Sequence, residues 1–595
     1  MRNDLIIGMA GSGGDGIVSA GESLMSAATR EGYYALMTKS FGSQIRGGES
    51  SCRVRISTER ALTPGATLDV AVALNWDDFL RFGSELPVGG QTVVVYESAS
   101  GILPSRIPLT GVTPADVRAV PLAEMAKTAA GTDRAKNAVV LGLLAGWFDL
   151  APGRLKDGIG RKLAKKGAEV LEGNLRAFGA GFDHATANPL SGQLRMAPPV
   201  AGPPKLLVDG NEMCAAAAIF AGCRFFAGYP ITPSTEIMQY LSREIWRYGG
   251  SVLQAEDEIA GVGAVVGASF AGLKAMTATS GPGMSLKSEM LGLATIAELP
   301  LVCVNVQRGG PSTGLPTKSE QSDLFQAVFS AHGDAVRPVL APTCVQDTFA
   351  VTVEAFNIAE KYQTPVIVLS DQDIAQRKET VDPIDTAAFT LVERLRPTER
   401  ELEGYARFRF TESGISPISQ PGMPGGSYLA AGIEHTEDGA PTASGAVHAR
   451  MNEKRLRKLD PLKQRKDLFR FEGDPAAPLA LVSWGSVAGI AYEAWQLAKR
   501  SGLHVKLLVP HLLFPVAEGV YKDFFASVKA GLVVEQSHQG QLFRVLRTYV
   551  DLPAGLRSLT RSGANPIAAT EVVEALRQTA MALQSQPVRA LVPQE

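Results

Sequence analysis

Residues 205–235, KLLVDGNEMCAAAAIFAGCRFFAGYPITPST, decide the fold class. A short apolar run is followed by an alanine-rich helical stretch, a second apolar run, CRFFAG, and a loop in which two prolines fix the backbone. The rhythm continues outward, with helical segments separating further strand-like runs at LPLVCVNVQ (299–307) and TPVIVLSD (364–371). Strands alternating with helices argue a parallel sheet covered by helices, an α/β class. Toward the C terminus, APLALVSWGSVAGIAYEAWQLAKRSGLHVKLLVP (477–510) restores strand, turn, helix and strand. Toward the N terminus, DLIIGMA (4–10), Gly11-Ser12-Gly13-Gly14-Asp15-Gly16 and IVSAGESLMSAATREG (17–32) read as strand, glycine turn and helix. Apolar runs at 68–75 and 91–97 and a helix over 136–148 complete that region.

These patterns predict a multidomain α/β chain: a first domain over 1–186, a linker over 187–205, a second domain over 206–390, an irregular connecting segment over 391–474 and a third domain over 475–595. The linker, ANPLSGQLRMAPPVAGPPK, is too rich in proline, glycine and small residues to sustain a regular element. Within the connecting segment, RMNEKRLRKLDPLKQRKDLFR (450–470) reads as a basic, mostly polar helix, either a solvated face or a docking strut.

Composition narrows the function classes. In 595 residues, 58 Lys and Arg stand against 60 Asp and Glu, a formal balance of −2, so charge gives no general reason to bind nucleic acid or a membrane surface. With 45% hydrophobic and 20% charged residues the chain is ordinary globular protein. No apolar stretch is long enough for a membrane span. Cys52, Cys214, Cys223, Cys303 and Cys344 are dispersed without a CxxC, which argues against an iron–sulfur cluster held by this chain alone and favours the reducing cytoplasm. The seven histidines are scattered and predict no metal site.

The chemistry-bearing motifs lie mainly in the second domain. Gly228-Tyr229-Pro230-Ile231-Thr232-Pro233-Ser234-Thr235 offers three hydroxyls on a rigid loop, suited to an oxyanion or ketone; equally, it reads as a plain helix start capped by Thr232 or Ser234. Glu256-Asp257-Glu258 precedes IAGVGAVVGASFAG. If a helix begins near Asp257, then Val262 and Val265 share a face with Glu258 and aim this carboxylate inward. A buried carboxylate is costly unless it shares a proton with a ligand; the alternative is an acidic first turn answering the helix dipole. TATSGPG (277–283) and QRGGPSTGLPTKSEQSDL (307–324) follow strand-like runs, which places them at carboxyl ends of strands, where open α/β sheets carry their sites. There Arg308 offers a planar fork for a carboxylate and Lys318 a second cation. The N-terminal Gly11–Gly16 turn fits GxGxxG, but YYALMTKS (33–40) lacks the acidic residue a dinucleotide site would want.

GSGGDG with SQIRGGES and CRVRIS (43–57) resembles the γ domain of 2-oxoacid:ferredoxin oxidoreductases over residues 1 to about 185. YPITPST, EDEIAGVGAVVGASFAG, TATSGPG and QRGGPSTGLPTKSEQSDL together resemble the α subunit of the same family, in particular its 2-oxoglutarate type, in the fused γα arrangement. The resemblance implies a thiamine diphosphate pyrimidine-binding fold over 206–390 and a transketolase C-terminal-like domain at the end. It implies interconversion of 2-oxoglutarate, CoA and oxidised ferredoxin with succinyl-CoA, CO₂ and reduced ferredoxin, in the oxidative direction or in CO₂ fixation as in a reductive tricarboxylic acid cycle. Carried over residue by residue, it makes Glu258 the aminopyrimidine partner, Thr232 and Arg308 the binders of the 2-oxoacid head, and Thr317 and Lys318 those of the distal carboxylate. Tyr229, Pro230, Ile231, Ser280 and Gly281 would line the coenzyme. Gly14-Asp15-Gly16 has no asparagine at the spacing of the Mg²⁺-diphosphate motif. The diphosphate, Mg²⁺ and a [4Fe–4S] cluster are therefore expected in a β subunit, with CoA as co-substrate and an (αβ)2 heterotetramer as the assembly. Arg46 is a candidate CoA contact. The same chemistry on pyruvate, a branched-chain or an aromatic 2-oxoacid, or a non-catalytic scaffold binding nucleotide at Gly11–Gly16, are the alternatives.

Overall fold

The computed structural model describes residues 2–42, 48–83, 85–100, 111–190, 195–563 and 566–584; Arg46 lies outside them. The chain divides into two compact units, Met1–Asp209 with Gln376–Ile384, and Gly210–Ala375 with Asp385–Glu595.

The first unit is built on an eight-stranded sheet in the order Asp116–Val120, Val93–Glu97, Val70–Ala73, Asp4–Gly11, Ser50–Ser57, Tyr34–Phe41, Lys378–Val381 and Leu206–Asp209. The first four strands run parallel and the remaining pairs antiparallel. Alternate side chains of Asp4–Gly11 feed opposite faces: Leu5, Ile7 and Met9 enter one core, Ile6 and Ala10 the other. The helix over Lys136–Phe148 packs on Ala168–Ala187 so closely that a Cβ at Gly142 or Gly181 would strike the facing backbone carbonyl, of Phe178 or Val139. The glycine turn closes on its own acids. Ser12 N–H donates to Asp15 (3.0 Å), Ser12 Oγ to Asp78 (2.5 Å), and Lys136 pairs with Asp15 at 2.9 Å.

One strand departs from the reading of the sequence. Leu206–Asp209, expected to open the second domain's sheet, instead pairs antiparallel with Lys378–Val381 at the edge of the first. A four-residue apolar run specifies a strand but not the sheet edge that takes it.

The second unit holds two sheets. A seven-stranded sheet has the order Leu512–Phe514, Val339–Leu340, Pro365–Asp371, Leu301–Gln307, Ala275–Thr279, Phe225–Gly228 and Ser251–Gln254, parallel except for Leu512–Phe514. A five-stranded sheet, Phe469–Glu472, Val505–Pro510, Leu479–Ser483, Ala530–Glu535 and Gly555–Thr560, is parallel except for its first strand. The α/β class follows from both. Among the described residues no helix is long and apolar enough to cross a membrane.

The first part of the basic stretch lies in the helix Gly445–Arg457, whose outer side is exposed while Met451, Lys454 and Arg455 are buried, so it docks as a strut along one side. Lys454 and Lys458, one turn apart, are buried and clasp Glu298 at 2.5 and 3.0 Å. Burial pushes the Glu298 carboxyl up, but Lys458, Lys454 and Arg407 outweigh it and hold it well below the usual carboxylate range. Ser416 accepts from Lys454 (3.2 Å) and Arg407 donates to the Glu298 carbonyl (2.7 Å), so the strandless stretch before residue 469 is anchored by polar bonds.

Candidate active site

Parallel pairing aligns the carboxyl ends of the central strands of the seven-stranded sheet. Gly228 stands opposite Gln254, Thr279 opposite Asn305, and Gln307 opposite Asp371. The motifs singled out in the sequence leave the sheet at this edge.

Glu258 is the first residue of the helix Glu258–Phe270, preceded by Asp257 in extended conformation, whose carboxylate accepts the Ala260 N–H at 2.7 Å. Asp257 therefore does the capping, and Glu258 is released from that duty. Its side chain is 7% exposed, beside fully buried Val262 and Val265. Beneath it runs the helix Gly281–Ile296. A Cβ on Gly283 would sit 2.8 Å from Glu258 Cγ and 2.9 Å from its Oε1, so only glycine leaves room for the carboxyl group. Gly261 plays a similar part behind it, where a Cβ would lie 3.1 Å from Gly228 Cα.

Ser280 occupies the N-cap of Gly281–Ile296, in extended conformation, yet its hydroxyl makes no capping bond. The residue is fully buried and its Oγ has no partner among the described residues. An N-cap serine left unused is costly.

Arg308 follows the strand Leu301–Gln307 and is 7% exposed. Its Nη1 donates to the Thr232 carbonyl at 2.6 Å, joining two residues 76 positions apart, while its buried Nε has no partner. Asp323 lies close by. Burial raises its carboxyl to about 6, assisted by Glu320 and opposed by a 3.0 Å hydrogen bond from Asn305 and by the Arg308 charge. A Cβ on Gly281 would meet Asp323 at 3.0 Å, which ties the Arg308 group to the start of the Ser280 helix.

Thr317 and Lys318 sit on a tight excursion after Arg308. Leu315 N–H donates to the Gly309 carbonyl (2.8 Å) and Gly309 N–H to the Lys318 carbonyl (2.9 Å), which returns Lys318 to the base of the loop beside Arg308. Gly314 turns there with φ 51, and a Cβ on it would strike the Gly309 carbonyl. Thr317 and Lys318 are half-exposed. Tyr229, 41% exposed, with half-buried Pro230, Ile231 and Thr232, forms the neighbouring loop. Ser234 does not cap the helix Thr235–Glu244; its hydroxyl donates to the Ile231 carbonyl at 3.0 Å and stiffens that loop instead.

The five-stranded sheet holds the far end of the Arg308 loop. Buried Gln321 donates to the Trp484 carbonyl (2.7 Å) and accepts from Gln536 N–H (2.8 Å). Gln541 donates to the Ser322 carbonyl (2.7 Å) and accepts from Phe325 N–H (2.9 Å). The motifs SWGS (483–486) and EQSHQGQL (535–542) thus act as clamps on residues 319–325.

Sequence reasoning missed Lys287. It is fully buried one turn beyond Gly283, and its ammonium donates to the Glu258 carbonyl (3.0 Å) and Thr277 Oγ1 (3.2 Å). Its i+4 spacing from Gly283 was the available signal. Asn305 and Asp323 were also unassigned. Among the described residues no group of three His, Cys, Asp or Glu side chains gathers to hold a metal ion, and all five cysteines are free and buried.

The family model for pyruvate flavodoxin/ferredoxin oxidoreductase, thiamine diphosphate-binding, matches residues 216–454, and that for pyruvate ferredoxin/flavodoxin oxidoreductase matches residues 6–184. The chain is 33% identical to the 2-oxoglutarate oxidoreductase subunit KorA of Mycobacterium tuberculosis, over 91% of this chain and 87% of that protein. It is 37% identical to the 2-oxoglutarate synthase subunit KorA of Methanocaldococcus jannaschii, over 56% of this chain and 89% of that one. A solved structure of 2-oxoglutarate:ferredoxin oxidoreductase from Magnetococcus marinus, with 2-oxoglutarate, coenzyme A and succinyl-CoA bound, superimposes with a TM-score of 0.92 at 38% identity, covering 97% of this chain and 100% of that chain.

Proposed function

Since this chain belongs to the 2-oxoacid:ferredoxin oxidoreductase family, we propose that it is the α subunit of a 2-oxoglutarate:ferredoxin oxidoreductase and supplies half of a thiamine diphosphate site. The enzyme interconverts 2-oxoglutarate, CoA and oxidised ferredoxin with succinyl-CoA, CO₂ and reduced ferredoxin. The observation that carries the site assignment is the buried Glu258 carboxyl group over the gap left by Gly283, with the unpartnered Ser280 hydroxyl nearby.

These residues fit an aminopyrimidine ring: an acid for its ring nitrogen, a space no Cβ fills and an idle hydroxyl. When bound, thiamine diphosphate supplies the nucleophilic carbon and the electron sink for decarboxylating a 2-oxoacid. Glu258 holds or releases a proton at the ring nitrogen N1′, and its low exposure keeps water from competing for that proton. Arg308, fixed on the Thr232 carbonyl, presents its remaining N–H donors to the carboxylate of the 2-oxoacid, with Thr232 beside the keto group. Lys318, with Thr317, meets the distal carboxylate, which is what distinguishes 2-oxoglutarate from pyruvate and from branched-chain or aromatic 2-oxoacids.

The diphosphate, Mg²⁺ and a [4Fe–4S] cluster belong to a β subunit in an (αβ)2 assembly that passes electrons to ferredoxin. The dispersion of the five cysteines supports this, as do the exposed apolar side chains Tyr229, Leu253, Ile259 and Leu286 on elements around Glu258. The reduced cysteines support a cytoplasmic setting. The test is co-purification with the product of the adjacent gene, followed by CoA-dependent dye reduction on a panel of 2-oxoacids. The reading expects activity only in the complex, with 2-oxoglutarate preferred. Turnover by this polypeptide alone would refute the half-site, and preference for pyruvate would refute the role of Lys318.

A further inference from the structure

Lys287 is a fully buried cation that forms no ion pair with a carboxylate among the described residues and has two neutral acceptors, the Glu258 carbonyl at 3.0 Å and Thr277 Oγ1 at 3.2 Å. Burying an ammonium in this way costs stability, and a methionine of similar length would fill the space without that cost. The placement is therefore explained by what it adjoins. One helical turn separates Gly283, which makes room for the Glu258 carboxyl, from Lys287, which holds the Glu258 backbone. The helix Gly281–Ile296 thus presents Glu258 with a gap and a positive charge on the same face.

We propose that Lys287 is the positioning residue of the Glu258 site: it pins the first residue of the helix Glu258–Phe270 to the strand Ala275–Thr279 and so fixes the direction in which the Glu258 side chain leaves the helix start. This rests on the role given to Glu258 above. The ammonium faces Asp257 and Glu258 from one helix start, Thr277 from the neighbouring strand and Cys303 from the next, and the Arg337 charge also acts on Cys303. Burial draws the lysine below its ordinary range, while Cys303, Glu258 and Asp257 oppose that shift and favour the charged form. Cys303, pushed up to about 11 by burial, stays neutral, so the acids facing Lys287 are Asp257 and Glu258. Asp257 is engaged with Ala260 N–H.

The test uses the assembled α–β complex loaded with thiamine diphosphate, in wild-type, Lys287→Met, Lys287→Gln and Glu258→Gln forms. Four quantities are read: melting temperature, the rate of hydrogen–deuterium exchange at the coenzyme C2 position per bound coenzyme, kcat, and KM for the 2-oxoacid. Lys287→Met is expected to melt at or above the wild-type temperature, yet exchange at least about tenfold more slowly. Its kcat should fall while KM for the 2-oxoacid stays put. Lys287→Gln, which retains a donor for the Glu258 carbonyl, should exchange at a rate between those of Lys287→Met and wild type. Wild-type exchange in both variants, or losses accounted for wholly by lower melting temperatures, would overturn the proposal. If Lys287→Met does not assemble, Lys287→Gln decides by the same measurements. Glu258→Gln separates the two levels. If it leaves exchange intact, the reading of Glu258 fails; if it abolishes exchange while both Lys287 variants exchange normally, only the role of Lys287 fails.

Discussion

The helix Gly281–Ile296 has a buried glutamate at each end, and the two are treated in opposite ways. At its N-terminal end the Glu258 side chain is buried over the gap left by Gly283, and the nearby Ser280 hydroxyl is without a partner among the described residues. Just past its C-terminal end Glu298 is saturated by Lys454 and Lys458. Glu298 even occupies a left-handed position, φ 51, where glycine is the usual helix-ending residue, and the ion pairs offset that strain. The saturated glutamate holds the fold; the other is the one proposed to meet a ligand.

The largest expected contrast is functional. Glu258→Gln should lower turnover of the complex by about 10²–10⁴-fold while leaving the melting temperature nearly unchanged. Glu298→Gln should do the reverse, costing about 3–5 kcal/mol in denaturant unfolding by stranding two buried ammonium groups. Adding Lys454→Met and Lys458→Met to Glu298→Gln should recover part of that loss, since of the three cations facing Glu298 only Arg407, held by the Glu298 and Ser416 carbonyls, then remains. A Glu258→Gln chain that unfolds as readily as Glu298→Gln would erase the distinction.

The comparison sharpens at Arg308 and in acid. Arg308→Lys keeps the charge but loses the planar guanidinium fork held by its single bond to the Thr232 carbonyl, so kcat/KM for the 2-oxoacid should drop by about 10–100-fold. The Glu298 carboxyl is held below its unfolded value, near 4.5, so the stability it contributes is present above that pH and lost as pH falls below it. Melting of the wild-type chain should therefore fall steeply below about pH 4.5, and Glu298→Gln should flatten that limb.

The smallest effect concerns Asp323, whose carboxyl is raised to about 6 by burial. Its folded value exceeds its unfolded one, so it favours the folded state at low pH and this contribution disappears as pH rises through 6. Once charged, it also offsets the Arg308 cation. KM for the 2-oxoacid should then rise by roughly two- to fivefold across that pH, a step that Asp323→Asn removes.

Much of the architecture was legible because it is local. The helix Lys136–Phe148 and the inward face shared by Glu258, Val262 and Val265 follow from spacing alone. What escaped depends on partners distant in sequence. Leu206–Asp209 finds its edge beside Lys378–Val381. The basic helix Gly445–Arg457 buries one face, with Lys454 on an acid 156 residues earlier. Gln321 could not be read as a clamp without Trp484 and Gln536. Lys287 was not assigned because its partner, the Glu258 carbonyl, lies 29 residues earlier in the chain.

The most direct test is a density map of the assembled complex with thiamine diphosphate bound. The account predicts the Glu258 carboxylate within hydrogen-bonding distance of N1′, the ring over Gly283, and the diphosphate gripped by the other subunit. A map with Glu258 turned into solvent, or with the whole coenzyme enclosed by this polypeptide, would contradict it.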